Sequence, residues 1–145
     1  FIGPHLPLDI HYAIGNFIGD GLKGREIRVN GDGSQYRSYL YSADLVRWLW
    51  TILVQGESCR VYNVGSDHAV TIKELAYLTA SCFEPQSDVV IAKKAEKKSS
   101  ENRYVPGINR ARNELGLDVF TSLLEAIRRT VGYHKKLRKK SDSNY

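Results

Sequence analysis

Apolar residues recur at helical spacing in several stretches of the chain and alternate in shorter stretches between them. A first helix is expected around Ala13–Leu22, with Gly24 as its stop. A second follows Ser42, whose hydroxyl can cap it. In that helix Ala43, Val46, Trp50 and Leu53 share one face, and Leu45, Leu49 and Ile52 add another. A helix apolar nearly all round is expected to be buried. Thr71-Ile72-Lys73-Glu74 has the form of a capping box, opening a helix to about Cys82. "INRARNELG" reads as a short helix stopped by Gly116. The last helix carries Leu124, Ile127 and Val131 along one stripe, with Thr121 as its expected cap.

Between these, "EIRVNG" sets Ile27 and Val29 on one side and reads as a short strand. "RVYNVG" reads as a core strand ending at Gly65, and "SDVVIA" as another strand. Gly31-Asp32-Gly33 is a turn, because glycine permits positive φ and a close backbone approach. Tyr36–Tyr41 is extended and aromatic. Helices and strands interleave throughout, which predicts an α/β fold.

Composition changes this picture little. The chain has 145 residues, 42% hydrophobic and 26% charged, as expected of one globular domain. The charge is less even. Of the net +5, Lys135, Lys136, Arg138, Lys139 and Lys140 less Asp142 account for +4. The expected division is therefore a body, 1–134, and a basic, disordered tail, 135–145. Two cysteines without close spacing favour a reducing, cytoplasmic setting. No apolar run reaches the ~18 residues of a membrane span. Zinc spacing, a P-loop and a Gly-x-Ser-x-Gly elbow are all absent from the sequence. The chain opens at Phe1 in an apolar stretch and contains no methionine, so it is expected to be a fragment lacking an N-terminal portion.

Two residues carry chemistry on local grounds. Arg37 stands just past the glycine turn, where a planar guanidinium can give two parallel bonds to phosphate oxygens. The alternative is a strand arginine paired with Asp32 or Asp44. Asn63, at a strand end before a glycine, can donate and accept, although asparagine near glycine is often only a turn former. Tyr39, Tyr41, Trp48 and Trp50 are expected in the core rather than stacked on a base.

The order of "GPHLPLD", "FIGDGLKGREIRVNGDGSQYRSYLYSADL", "VYNVGS", "TIKELA" and "RYVPGINRARNELGL" resembles the C-terminal half of the extended short-chain dehydrogenase/reductase family. These are the NAD-dependent nucleotide-sugar epimerases and dehydratases, with the dTDP-glucose 4,6-dehydratase type the nearest in look. The resemblance implies the C-terminal substrate-binding part of a Rossmann-type fold, whose strands and helix pack on a missing dinucleotide-binding domain. It puts Arg37 on a diphosphate and Asn63 near the nucleotide. It makes the loop with Asp9, His11 and Tyr12 substrate-facing, His11-Tyr12 replacing an acidic-basic pair. Lys98 or Arg103 would stand for a further nucleotide-binding arginine. A solvated loop is the plainer reading for His11 and for the Lys93–Lys98 run.

The same resemblance implies NAD in the full-length enzyme. This chain has no Gly-x-x-Gly-x-x-Gly loop, and none of its nine tyrosines has lysine four residues on. It is therefore expected to bind no cofactor, to contribute no catalytic residue and to be inactive alone, while holding a nucleotide-diphosphate sugar for carbohydrate metabolism or polysaccharide biosynthesis. Self-association through the surface left by the missing domain is expected, with no membrane partner. A non-catalytic interaction module, or a nucleic-acid binder using the basic tail, are the readings of other classes.

Overall fold

A computed structural model describes residues 1–10, 12–92 and 102–142. Its elements, in chain order, are α1 (Ala13–Leu22), β1 (Ile27–Val29), β2 (Tyr36–Arg37), α2 (Ser42–Gln55), β3 (Val70–Thr71), α3 (Ile72–Ala80), β4 (Val89–Ile91), β5 (Arg103–Tyr104), α4 (Asn109–Leu115) and α5 (Leu123–Asp142). Two small sheets result. β1 pairs in parallel with β4, Ile27 opposite Val89. In the second sheet β2 is central, antiparallel to β3 and parallel to β5.

The larger core forms where α1, α3 and α5 meet β1. Ile14, Phe17 and Ile18 of α1 are buried with Ile27, Val29, Leu75, Ile127 and Val131. The i, i+3, i+4 spacing in α1 and the buried-exposed-buried pattern of β1 are the periodicities of a helix and a strand, each with one face inward. A second core gathers Leu40, Trp48, Ile108, Ala111 and Leu117 beneath α2 and α4. There the Trp48 indole is fully buried and donates to the carbonyl of Asp118 at 3.0 Å. Asp44, also buried, accepts from the backbone N–H groups of Phe120 and Thr121 at 3.2 and 2.8 Å. These two side chains fasten α2 to the segment leading into α5.

Several sequence expectations meet local corrections. Tyr41, not Ser42, stands at the N-cap of α2, and no side chain caps it. Ser122, not Thr121, serves α5: its hydroxyl accepts from the N–H of Glu125 at 3.3 Å, because Thr121 is already committed to Asp44. "RVYNVG" is not a strand; residues 61–64 have no strand partner among the described residues. The α2 helix is not buried all round. Trp48 is inside, but Val46, Leu49, Trp50, Leu53 and Val54 are exposed, Leu53 and Val54 at 73%. The basic tail expected to be disordered is helical to Asp142, as the last turns of α5. Arg138 there donates to the carbonyl of Leu22 and Lys135 lies 5.4 Å from the Phe83 ring, so the helix has partners beyond its apolar stripe.

The capping box on α3 forms as expected. The Thr71 hydroxyl accepts from the N–H of Glu74 at 3.1 Å, and the Glu74 carboxylate accepts from the N–H of Thr71 at 2.8 Å. These bonds hold Glu74 below the usual carboxylate range. Gly116 ends α4 in the left-handed region, φ 63°.

Candidate functional site

The glycine turn after β1 fixes the start of the site. The Asp32 carboxylate accepts from the Ser34 N–H at 3.0 Å, closing the turn on itself. Gly33 has φ +73°, and its carbonyl accepts from the N–H of Lys73 at 3.0 Å. A Cβ at Gly33 would meet the Cβ of Lys73 at 2.8 Å, so this contact also requires glycine. The turn is thus pinned against the first turn of α3, and β2 leaves it in a fixed direction.

Arg37, on β2, is half-buried. Its Nη1 donates to the carbonyl of Tyr36 at 2.7 Å and to the Asn102 carbonyl and Oδ1 at 3.0 and 3.3 Å. Neither Asp32 nor Asp44 pairs with it; the first closes the turn and the second caps the Phe120–Thr121 backbone. Arg37 therefore has no carboxylate partner among the described residues. It lines a cleft of about 620 Å³ together with Tyr12, Ser38, Tyr39, Ile72 and Tyr104. Burial pushes the Tyr39 phenol up to about 12, against the opposing influence of Arg37, so that ring remains a neutral donor at ordinary pH.

A second cleft, of about 550 Å³, adjoins the first through Phe1, Ser38 and Tyr104, which line both. Asn63 and Arg103 stand on its wall. The Asn63 amide donates to the carbonyl of Gly107 at 3.0 Å. The parallel register sets Arg37 opposite Tyr104 and Tyr36 opposite Arg103. Side chains alternate along a strand, so the two arginines leave opposite faces of the sheet. Arg103 accordingly lies over the Tyr36 ring, 5.3 Å from its centroid.

Helix α4 holds the segment that carries Asn63. Arg110 donates to the carbonyl of Val61 at 2.7 Å, and Glu114 accepts from Arg60 and from the Tyr62 hydroxyl, at 3.1 and 3.0 Å. Arg112 bridges Asp67 and Asp118 at 3.0 and 2.8 Å. The bond from Arg60 keeps the Glu114 carboxyl below its usual range, and that from Arg112 does the same for Asp118.

The sequence candidates thus divide. Arg37 and Tyr12 share one cleft, and Asn63 and Arg103 share its neighbour. Asp9 is exposed on a third cleft of about 530 Å³ with Lys23, Arg25 and Arg28, which meets the first at Ala13 and Ile72. His11 and Lys98 fall outside the described residues. Sequence reasoning did not single out Ser38, Tyr104 or Asn102; only the pairing of β2 with β5, across dozens of residues, brings the last two beside Arg37. Chemically, the clefts offer a fixed cation, an amide and phenol hydroxyls. That is a set for binding an anion bearing hydroxyl groups. Among the described residues no group of three or more His, Cys, Asp or Glu could hold a metal ion.

The starts of α1, α2 and α3 do not offer the cradle of a dinucleotide pyrophosphate. Such a group sits on free N–H groups at a helix start behind a glycine-rich loop. The α3 start is closed by its own capping box, and α2 opens behind Tyr41 with Asp44 in its first turn. The loop into α1 has no glycine between Pro4 and Tyr12.

Comparison with known proteins agrees with this architecture. The model of the NAD dependent epimerase/dehydratase family matches residues 1–65. The chain is 28% identical over 125 residues to UDP-glucuronic acid decarboxylase 2 of Arabidopsis thaliana, covering 86% of this chain and 27% of that protein. It is 28% identical over 144 residues to UDP-glucuronic acid decarboxylase 1 of Danio rerio, covering 99% and 34%. The chain therefore spans about a third or less of these two relatives. Among solved structures, UDP-glucose 4-epimerase of Thermotoga maritima, determined with UDP-glucose, aligns with a TM-score of 0.80 at 26% identity, covering 94% of this chain and 43% of that one. A dTDP-glucose 4,6-dehydratase of Bacillus anthracis, in complex with NAD, aligns at 0.75 and 19% identity, covering 94% and 42%, and shows likeness of fold.

Proposed function

We propose that this chain, a member of the NAD-dependent epimerase/dehydratase family with a Rossmann-type relationship of fold, is the C-terminal, nucleotide-sugar-binding part of such an enzyme. Arg37 grips the diphosphate, and Tyr12, Asn63 and Arg103 meet the nucleotide or sugar from the two joined clefts. The observation that carries this is Arg37 itself: a guanidinium tied down on one nitrogen, without a carboxylate among the described residues, on the wall of an open cleft. The wider set we propose includes Asp9, whose cleft meets the first at Ala13 and Ile72, and His11 and Lys98, beyond the described residues.

In the full-length enzyme NAD would take hydride from a sugar carbon. Its site would lie on polypeptide other than the residues described, in which the starts of α1, α2 and α3 lack a glycine-rich cradle. The role of this part is to fix the diphosphate and aim the ring, which is catalysis by positioning. With neither a glycine-rich loop nor a Tyr-x-x-x-Lys pair, the chain alone turns over no nucleotide sugar. The exposed α2 face is then the surface on which the dinucleotide-binding part packs. A cytoplasmic setting is part of this reading, from two cysteines without close spacing in the sequence. No helix among the described residues is long and apolar enough to cross a membrane.

Calorimetric titration with UDP, dTDP and their sugars tests the reading. Saturable binding is expected, weakened at least about tenfold in Arg37→Ala, as for loss of a charge-assisted bond. Binding unaffected by that substitution would sink it.

A further inference from the structure

We infer that Asn102 is a positioning residue for Arg37, holding one edge of the guanidinium so that the other faces the cleft; this rests on the reading of Arg37 as the diphosphate grip. A guanidinium carries five N–H donors. The two on Nη1 meet three acceptors, namely Tyr36 O at 2.7 Å, Asn102 O at 3.0 Å and Asn102 Oδ1 at 3.3 Å. That nitrogen is saturated. Nε and Nη2 give no hydrogen bond to any described residue, so three donors remain for a ligand.

The anchor is itself anchored. The Asn102 carbonyl also accepts from the N–H of Tyr36 at 3.0 Å, at the entry to the β2–β5 pairing. Asn102 therefore cannot drift from Arg37 without breaking the sheet. A guanidinium so held is pre-organised, and less side-chain freedom is lost when it meets an anion. The residue type also matters. A carboxamide orients the guanidinium and leaves its charge available. A carboxylate in its place would pair with the guanidinium and compete with the diphosphate.

The test uses UDP as the probe, with the intact chain and its variants Asn102→Asp, Asn102→Ala, Arg37→Ala and the double variant R37A/N102D. Asn102→Asp is expected to weaken UDP binding about tenfold or more while its thermal midpoint stays level or rises, since the new ion pair supports the fold and opposes the ligand. A merely structural residue would move both readouts in one direction. Asn102→Ala, which loses the side-chain acceptor and keeps the backbone one, is expected to weaken binding about threefold. In the Arg37→Ala background, Asn102→Asp should cost no further affinity. If Arg37→Ala loses UDP while both single Asn102 variants bind it as tightly as the parent, the positioning role falls alone. If the parent does not bind UDP, or Arg37→Ala binds it unchanged, the diphosphate reading falls and takes this one with it.

Discussion

At the scale of single residues, the molecule separates groups that hold it together from groups that face outward. Trp48 and Asp44 lie one turn apart on α2 and both reach the segment before α5. Trp48→Ala removes a fully buried indole and leaves the Asp118 carbonyl without its donor. A loss of about 3–5 kcal/mol is expected in urea denaturation. Asp44→Ala leaves two backbone N–H groups and the Thr121 hydroxyl without their acceptor, at an expected cost of about 2–3 kcal/mol. Arg37 should behave in the opposite way. Arg37→Lys is expected to melt near the parent temperature but recover only part of the affinity for UDP, because an ammonium lacks the second, parallel donor. The glycine turn was legible in the sequence because it is local chemistry. Asn102 was not, because nothing near it in the chain marks it; its partner lies 65 residues away.

At the scale of elements, what could be read from the sequence was whatever depended on neighbours within a turn or two. The α1 boundaries, the capping box and the Gly116 stop agree with the structure. Caps depending on tertiary partners did not: Thr121 has its hydroxyl and N–H on Asp44, which leaves Ser122 to serve α5. The α3 capping box also gives a pH dependence. Glu74 has its folded-state pKa lowered, so its contribution is present above the ordinary glutamate value near 4.5 and is lost as pH falls through the lowered one. Stability should therefore drop on acidification below about pH 4.5, by an increment that Glu74→Gln makes independent of pH. Denaturant midpoints for the two proteins, compared at pH 5.5 and pH 3, measure it. Thr71→Ala should cost about 1 kcal/mol at the higher pH.

At the scale of the whole molecule, hydrophobic periodicity identified α2 correctly and its surroundings incorrectly, since periodicity reports a greasy face without saying what covers it. Val46, Leu49, Trp50, Leu53 and Val54 form an exposed apolar face larger than scattered surface residues would give. "VYNV" beside it alternates exposed and half-buried positions as a strand would, yet lacks a strand partner among the described residues. The isolated chain is expected to self-associate as concentration rises, and the pair Leu49→Glu with Leu53→Glu to keep it monomeric in sedimentation while the melting temperature changes little. A parent that stays monomeric at all concentrations would contradict this. The two-residue strand β2 has a consequence of another kind. Both its neighbours, β3 and β5, arrive from much later in the chain. Closing such long loops is slow in folding. The grip on a diphosphate should thus mature late in refolding. The core around Trp48 waits on the same late segment, since its indole meets the Asp118 carbonyl 70 residues on, so Trp48 fluorescence should recover together with the ability to capture nucleotide rather than ahead of it.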